Sequence, residues 1–302
     1  MKVIKMTASA ILAIDIGGTS VKYGIWQDQQ LLDKGSFSTP NTTIAMLTAL
    51  KKVKTTLEQK ITNVITGVAV SVPGCVNVTT GSISGISAVD YLNNIPFRDL
   101  LSRELNLPVS IQNDANCAAL AEHVWGNAKD VNSAAFMIIG TGVGGAIIIN
   151  DQLFGGEANF AGEFGYAIMN SKGETLSQLG SPVKMAEKYN KLANNSTTLT
   201  GKEVFAAADN GDQLACKCVN ELYNTLSLAA YNLVVNFSPQ RLVIGGGVSA
   251  RQELIVELNK RVNALLNQNG TPLNIDVVNC QFLNDANLVG AVCEYLNQKI
   301  KQ

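Results

Sequence analysis

Short apolar runs broken by polar turns open the chain. Ile11–Ile16, Val21–Trp26 and Leu31–Phe37 are β-rich, and the connections between them are too short for crossovers, so they are predicted to pair antiparallel. From Thr42 to Lys60 the period changes, with Ile44, Leu47, Leu50 and Leu57 at helical spacing. Val64–Val72 is a strand stopped by Pro73-Gly74. Arg98–Leu105 reads as a helix, Val109–Gln112 as a strand, and Asn113 or Asp114 caps a helix running to Trp125. The chain turns polar around Ala128 to Ser133 and the grammar restarts with strand Ala134–Ile139, a glycine turn and strand Ala146–Asn150. Later come helical segments carrying Leu214, Cys218, Leu222, Leu226, Ala229 and Leu233, then strand Arg241–Ile244. A helix opened by Ser249 follows, with Ser249 and Gln252 as a capping box and Leu254, Leu258, Val262 and Leu265 as its stripe. Strand Val277–Phe282 and helix Asn287–Lys299 close the pattern. Two units that each open with strand, glycine turn, strand predict two α/β lobes with a ligand cleft between them.

Three turns of this pattern are rich in glycine: Asp15-Ile16-Gly17-Gly18-Thr19, Ile139-Gly140-Thr141-Gly142-Val143-Gly144-Gly145 and Ile244-Gly245-Gly246-Gly247-Val248. Bare N–H groups in such turns form concave anion sites, which points to nucleotide phosphates gripped by several loops. Gly140, Gly142 and Gly145 have dinucleotide-fingerprint spacing, but Ala146-Ile147-Ile148-Ile149 follows as a strand where that motif needs a helix. A dinucleotide-dependent oxidoreductase is therefore a distant alternative. No Walker-type P-loop is present.

Composition narrows the class. The 302 residues suit two domains, and 46% hydrophobic content supports a sizeable core. A net charge of -1 gives no electrostatic hold on nucleic acid. Six cysteines are too sparse for a disulfide scaffold, so a reducing, cytoplasmic setting is expected. Cys216 and Cys218 point apart on a helix and read as ordinary thiols. Nothing resembles a signal peptide or membrane span; the run Ala8 to Ile16 is needed as a strand. The single histidine, His123, gives serine-hydrolase chemistry little support.

Phosphoryl transfer needs positioning, charge neutralisation and an acceptor for the incoming hydroxyl's proton. Asp114, at a strand-to-helix junction, is the candidate acceptor, against the plain alternative of an N-cap. Glu163, flanked by glycines, is suited to hold two sugar hydroxyls, against the alternative of a surface loop acid.

In order along the chain, DIGGTSVK (Asp15–Lys22), SVPG (Ser71–Gly74), NDANCAALAE (Asn113–Glu122), IGTGVGGA (Ile139–Ala146), AGEFGY (Ala161–Tyr166), IGGGV (Ile244–Val248) and NDANLVGA (Asn284–Ala291) resemble the ROK family of sugar kinases. The resemblance implies an α/β fold of two RNase H-like lobes, of the actin/hexokinase/Hsp70 ATPase type, with mixed sheets flanking a central cleft. It implies one lobe of residues 1–115 plus 287–302 and another of 116–286. By the same resemblance Asp15 helps hold Mg2+ through water, and Gly17, Gly18, Thr19, Lys22, Thr141, Gly142, Gly245, Gly246 and Gly247 bind ATP. Asp114 is the implied base, with Gly74, Asn113, Glu163 and Tyr166 beside it on the sugar. Many members carry histidine where Tyr166 stands, together with a zinc-binding cysteine cluster that 165–182 lacks, so zinc is not expected; Ser177 stands where a sugar-binding glutamate is common. The Glu-Phe-Gly-Tyr ending is similar to zinc-less members acting on β-glucosides or N-acetylmannosamine. Family members are often dimers, which allows a homodimer here. The family's repressors add a helix-turn-helix before the first strand, and a strand starting near residue 11 leaves no room for one. A sugar-binding regulator without catalysis is the remaining alternative.

Overall fold

The computed structural model describes residues 9–85, 87–157, 159–194 and 198–301. Ala8, the expected start of the first strand, lies outside them. The chain divides into two compact units: one gathers the chain up to Ala121 and again from Asp285, the other is Glu122–Asn284.

The first unit contains β1 (Ser9–Ile16), β2 (Ser20–Gln27), β3 (Gln30–Ser38), α1 (Thr43–Glu58), β4 (Val64–Val72), a hairpin of β5 (Cys75–Asn77) and β6 (Ser82–Ser84), α2 (Phe97–Leu105), β7 (Val109–Asn113) and most of α3 (Asp114–Val124). Its five-stranded sheet runs β3-β2-β1-β4-β7, antiparallel from β3 to β1 and parallel from β1 to β7. Leu12, Ile14 and Ile16 share a core with Met46 and Leu50 of α1 and with Leu101 and Leu105 of α2. Ile44 was expected on that buried stripe, yet it is 79% exposed and Met46 takes the inner position. Thr42 caps α1 by accepting the Ala45 N–H at 3.2 Å.

The second unit contains β8 (Ala134–Ile139), β9 (Val143–Ile149), β10 (Gln152–Leu153), α4 (Leu176–Leu179), α5 (Pro182–Ala193), α6 (Gly201–Asp209), α7 (Gln213–Phe237), β11 (Arg241–Gly245), α8 (Gln252–Gln268) and β12 (Asp276–Asn279). Its sheet order is β10-β9-β8-β11-β12, with the same directions. Leaving the β5–β6 hairpin aside, both sheets read 3-2-1-4-5 in order of appearance, so the repeat legible as pattern is a repeat of topology. This is the α/β class with mixed sheets that was expected. Cys218 is buried on α7 while Cys216 is exposed, as their helical spacing requires.

Three expectations are corrected. The Ser249–Gln252 capping box does not form: Gly247–Ala250 is a single 3-10 turn, the Ser249 hydroxyl donates to the Gly246 carbonyl at 2.8 Å, and α8 starts after Arg251 without a side-chain cap. The buried stripe of α8 closes on Leu266 rather than Leu265. The last strand stops at Asn279, because Cys280 and Phe282 are drawn into hydrogen bonds with Ile244 and Glu122.

The final helix, α9 (Ala286–Lys301), belongs to the first unit. Tyr295 of α9 donates to the Thr66 carbonyl of β4 at 3.2 Å. A Cβ at Gly290 would overlap the backbone of Cys117, so α9 lies directly against α3.

Candidate active site

Three neighbouring parallel strands of the first unit end side by side. Asp15 of β1 pairs with Ser71 of β4, Ser71 with Gln112 of β7, and Val72 with Asn113. Open α/β sheets place ligands at such carboxyl ends. Asp15 is only 7% exposed. Its Oδ1 accepts from the Ser71 hydroxyl at 2.9 Å and from Asn287 Nδ2 at 3.1 Å, and its Oδ2 lies 4.0 Å from Lys22 Nζ. Burial raises the Asp15 carboxyl above its ordinary pKa, while the two donors and the Lys22 charge pull it back. The adjoining hairpin turn is pinned from β3's end: the Thr39 hydroxyl donates to the Gly17 carbonyl at 2.6 Å and the Thr39 N–H to the Thr19 carbonyl at 3.1 Å.

Asp114 begins α3 directly after β7. The cap left open between two residues falls to Asn113, whose Oδ1 accepts the Asn116 N–H at 3.0 Å. Asn113 Nδ2 donates to the Gly74 carbonyl and to Asp114 Oδ1, both at 3.0 Å, and Asp114 Oδ1 also accepts the Ala115 N–H at 2.8 Å. Gly74 has φ 98°, a left-handed conformation that favours glycine, so the Ser71–Gly74 turn carries its carbonyl to Asn113. Burial, and then the charges of Asp15, Glu294 and Asp114, hold the Cys117 thiol well above its ordinary pKa.

In the second unit the β8–β9 hairpin turns through Gly140, Thr141 and Gly142, with the Gly140 N–H on the Gly142 carbonyl at 2.9 Å. A strand, β9, follows immediately, so the dinucleotide alternative loses its structural context. Gly246 has φ 84° and packs so tightly on the Ile139 carbonyl that a Cβ would overlap it; the Gly245–Gly247 turn is thereby seated beside the Gly140 turn. At Gly140 and Gly247 a Cβ would meet nothing within 4 Å, so bare backbone faces open space there.

Glu163 lies half-buried in the loop after β10. Burial alone raises its carboxyl above the ordinary range, and among the described residues no hydrogen-bond donor reaches it. Tyr166 is exposed. Ser177 supports the hairpin instead: its hydroxyl oxygen accepts the Val143 N–H at 3.0 Å. The first unit thus carries Asp15, Gly17, Gly18, Thr19, Lys22, Gly74, Asn113 and Asp114, and the second carries Thr141, Gly142, Glu163, Tyr166 and Gly245 to Gly247. His123 serves neither group; its Nε2 lies 3.2 Å from Asp151 Oδ1. Sequence reasoning missed Ser71, Thr39 and Asn287. Ser71 and Asn287 lie inside family-like stretches, but no local pattern marks either as a partner of Asp15.

The ROK family profile matches residues 11–297. The β-glucoside kinase of Listeria innocua is 33% identical over 300 residues, spanning 96% of this chain and 98% of that protein. The β-glucoside kinase of Klebsiella pneumoniae is 32% identical over 298 residues, spanning 94% and 95%. A Streptococcus pneumoniae ROK family protein solved in complex with sucrose superposes with a TM-score of 0.87 at 31% identity, covering 97% of this chain and 100% of that one. A Streptomyces griseus ROK family glucokinase, solved with glucose and AMPPNP, shares the fold at TM-score 0.81 and 24% identity, covering 96% and 99%. The fold is therefore the actin/hexokinase-type ATPase fold, and a profile match over nearly the whole length, with relatives above 30% identity across both chains, makes this chain a member of the ROK family.

Proposed function

We propose that this protein is an ATP-dependent sugar kinase that transfers the γ-phosphoryl group of ATP to a sugar hydroxyl, the 6-OH of a hexose, an N-acetylhexosamine or a β-glucoside. β-Glucosides are the first acceptors to try, because the relatives quoted from Listeria and Klebsiella carry that activity in their names. One observation carries the reading: Asn113 takes the helix cap and holds Asp114 Oδ1, so the Asp114 carboxylate is positioned at the strand end without being the cap.

In this reading Asp114 accepts the proton of the attacking hydroxyl as that oxygen bonds to the γ-phosphorus. The β–γ bridging oxygen leaves with the electron pair as ADP. Gly17, Gly18, Thr19 and Lys22 on one hairpin and Thr141 and Gly142 on the other supply N–H groups, hydroxyls and a cation for the phosphates, and Gly245 to Gly247 flank the adenosine. Gly74, Asn113, Glu163 and Tyr166 hold the sugar.

Asp15 would hold a hard, oxygen-seeking cation through water, its carboxylate being fixed at Oδ1 by Ser71 and Asn287. When bound, Mg2+ neutralises phosphate charge. A reducing cytoplasmic setting remains the expectation; among the described residues no helix is long and apolar enough to cross a membrane. A homodimer is the proposed assembly. The proposed lobes are 1–115 plus 287–302 and 116–286, against compact units that divide after Ala121 and Asn284.

Coupled ADP release over glucose, mannose, N-acetylmannosamine, N-acetylglucosamine and cellobiose tests the activity. Asp114→Asn is expected to lower kcat about 10²- to 10⁴-fold with sugar binding retained. Turnover within a few-fold of wild type would remove Asp114 from the role of base.

A further inference from the structure

The loop Asn159–Tyr166 treats its three aromatic residues differently. Phe164 is the anchor: it is buried in the second unit's core, with its ring centroid 6.2 Å from that of Phe237. Phe160 and Tyr166 are each 48% exposed, and their rings pair at 5.2 Å with planes 55° apart. Neither ring is needed to seat the loop. Gly162 and Gly165 already press its backbone onto β9, since a Cβ at either would run into Gly145, Ala146 or Val143.

Glu163 is bonded through its backbone to both aromatic positions. Its N–H donates to the Phe160 carbonyl at 3.3 Å and its carbonyl accepts the Tyr166 N–H at 3.2 Å, so one residue's backbone ties both aromatic positions. Single exposed apolar side chains are ordinary on protein surfaces. Two paired rings in the same short loop as a half-buried carboxylate that no donor among the described residues reaches are a different matter. Carbohydrates are recognised by this chemistry: hydroxyls donate to the carboxylate, and the C–H face of a ring lies on an aromatic face.

In the sugar-kinase reading Glu163 and Tyr166 hold the phosphorylated sugar ring, which leaves Phe160 over. We infer that Phe160, paired with Tyr166, is a specificity-determining platform for the ring attached to the anomeric carbon of a glycoside, so that two-ring β-glucosides are preferred over free hexose. The inference rests on the sugar-kinase reading above and names its acceptor class. In a β-glucoside the anomeric substituent is equatorial and continues outward from the sugar ring, so a second ring can meet a second aromatic side chain.

The test is calorimetric titration of the full chain with glucose, cellobiose and phenyl β-glucoside, with no nucleotide present. Wild type is expected to bind the two-ring ligands at least tenfold tighter than glucose. Phe160→Ala is expected to cut that ratio at least tenfold, and Phe160→Trp to restore it. Equal wild-type affinities, absence of binding by all three ligands, or a ratio unchanged within twofold in Phe160→Ala would overturn the inference. So would sedimentation showing that Phe160→Ala breaks a dimer while the ratio stays put, because the rings would then face a second copy. Titration needs no phosphoryl transfer, so a protein that releases no ADP with any sugar sinks the kinase reading while the platform is still read from binding.

Discussion

At the scale of single residues, burial raises the pKa of two carboxylates of the candidate site, Asp15 and Glu163. Glu163 illustrates the sign. Its folded-state pKa is raised by burial, so the folded protein holds that proton more tightly than the unfolded chain does. The stability contribution is fully present below the ordinary value of about 4.3 and is lost as pH rises through the raised folded value. Glu163→Gln should flatten that slope and raise Tm at pH 7, while weakening sugar binding. Melting curves from pH 4 to 8 check this; a variant that melts lower than wild type at pH 7 contradicts it. Asn287 offers a second residue-level prediction. Losing its bond to Asp15 Oδ1 removes one of two neutral donors to that carboxylate. Hydrogen bonds to charged groups are worth about 1.5–3 kcal/mol, so Asn287→Ala should weaken nucleotide binding in Mg2+ by about tenfold or more, with little change for nucleotide in EDTA. Equal losses with and without the metal would assign Asn287 to the fold alone.

Secondary-structure elements explain which parts of this arrangement were legible beforehand. The β-branched runs of β1, β8 and β11 and the glycine turns after them are local signals, and they stand where periodicity put them. The helix stripes were legible to within a residue or two, failing at Ile44 and Leu265, where the true inner face is set by the opposing sheet. Partners distant in sequence were not legible. Asn287 reaches Asp15 across 272 positions, and the Phe282 N–H reaches Glu122 across 160. Glu122 is fully buried and also accepts the Asn127 N–H at 2.9 Å, tying the end of α3 to the segment after β12. Its replacement by Ala leaves two N–H groups without their acceptor, at about 1–3 kcal/mol each. Gly290 is the matching packing constraint. Gly290→Ala forces α9 away from Cys117, and overpacking of that kind costs about 1–3 kcal/mol or more. A melting temperature within error of wild type for Gly290→Ala would mean that α9 shifts freely.

For the whole molecule, thiol chemistry reports how well each of the two units stays folded. Cys117, Cys218, Cys280 and Cys293 are buried, and burial pushes each thiol upward, so they are poor nucleophiles as well as hard to reach. Cys216 is exposed. Mass spectrometry after a brief native alkylation should find Cys216 modified first and these four spared until denaturant is added. Early labelling of Cys117 would indicate that α9 opens from the first unit on the timescale of the reaction.

The return of α9 to the first unit also sets an order of events during synthesis. A ribosome adds about 5–20 residues per second and domains ordinarily mature from the N-terminus onward. Here the sheet made first, from β1 to β7, lacks Tyr295, Gly290 and Asn287 until all of the second unit has been translated. The second unit is continuous in sequence and can complete its core earlier. The nascent chain therefore carries a half-dressed N-terminal sheet behind a finished C-terminal body, and Asp15 acquires its last hydrogen-bond partner only when the final helix emerges.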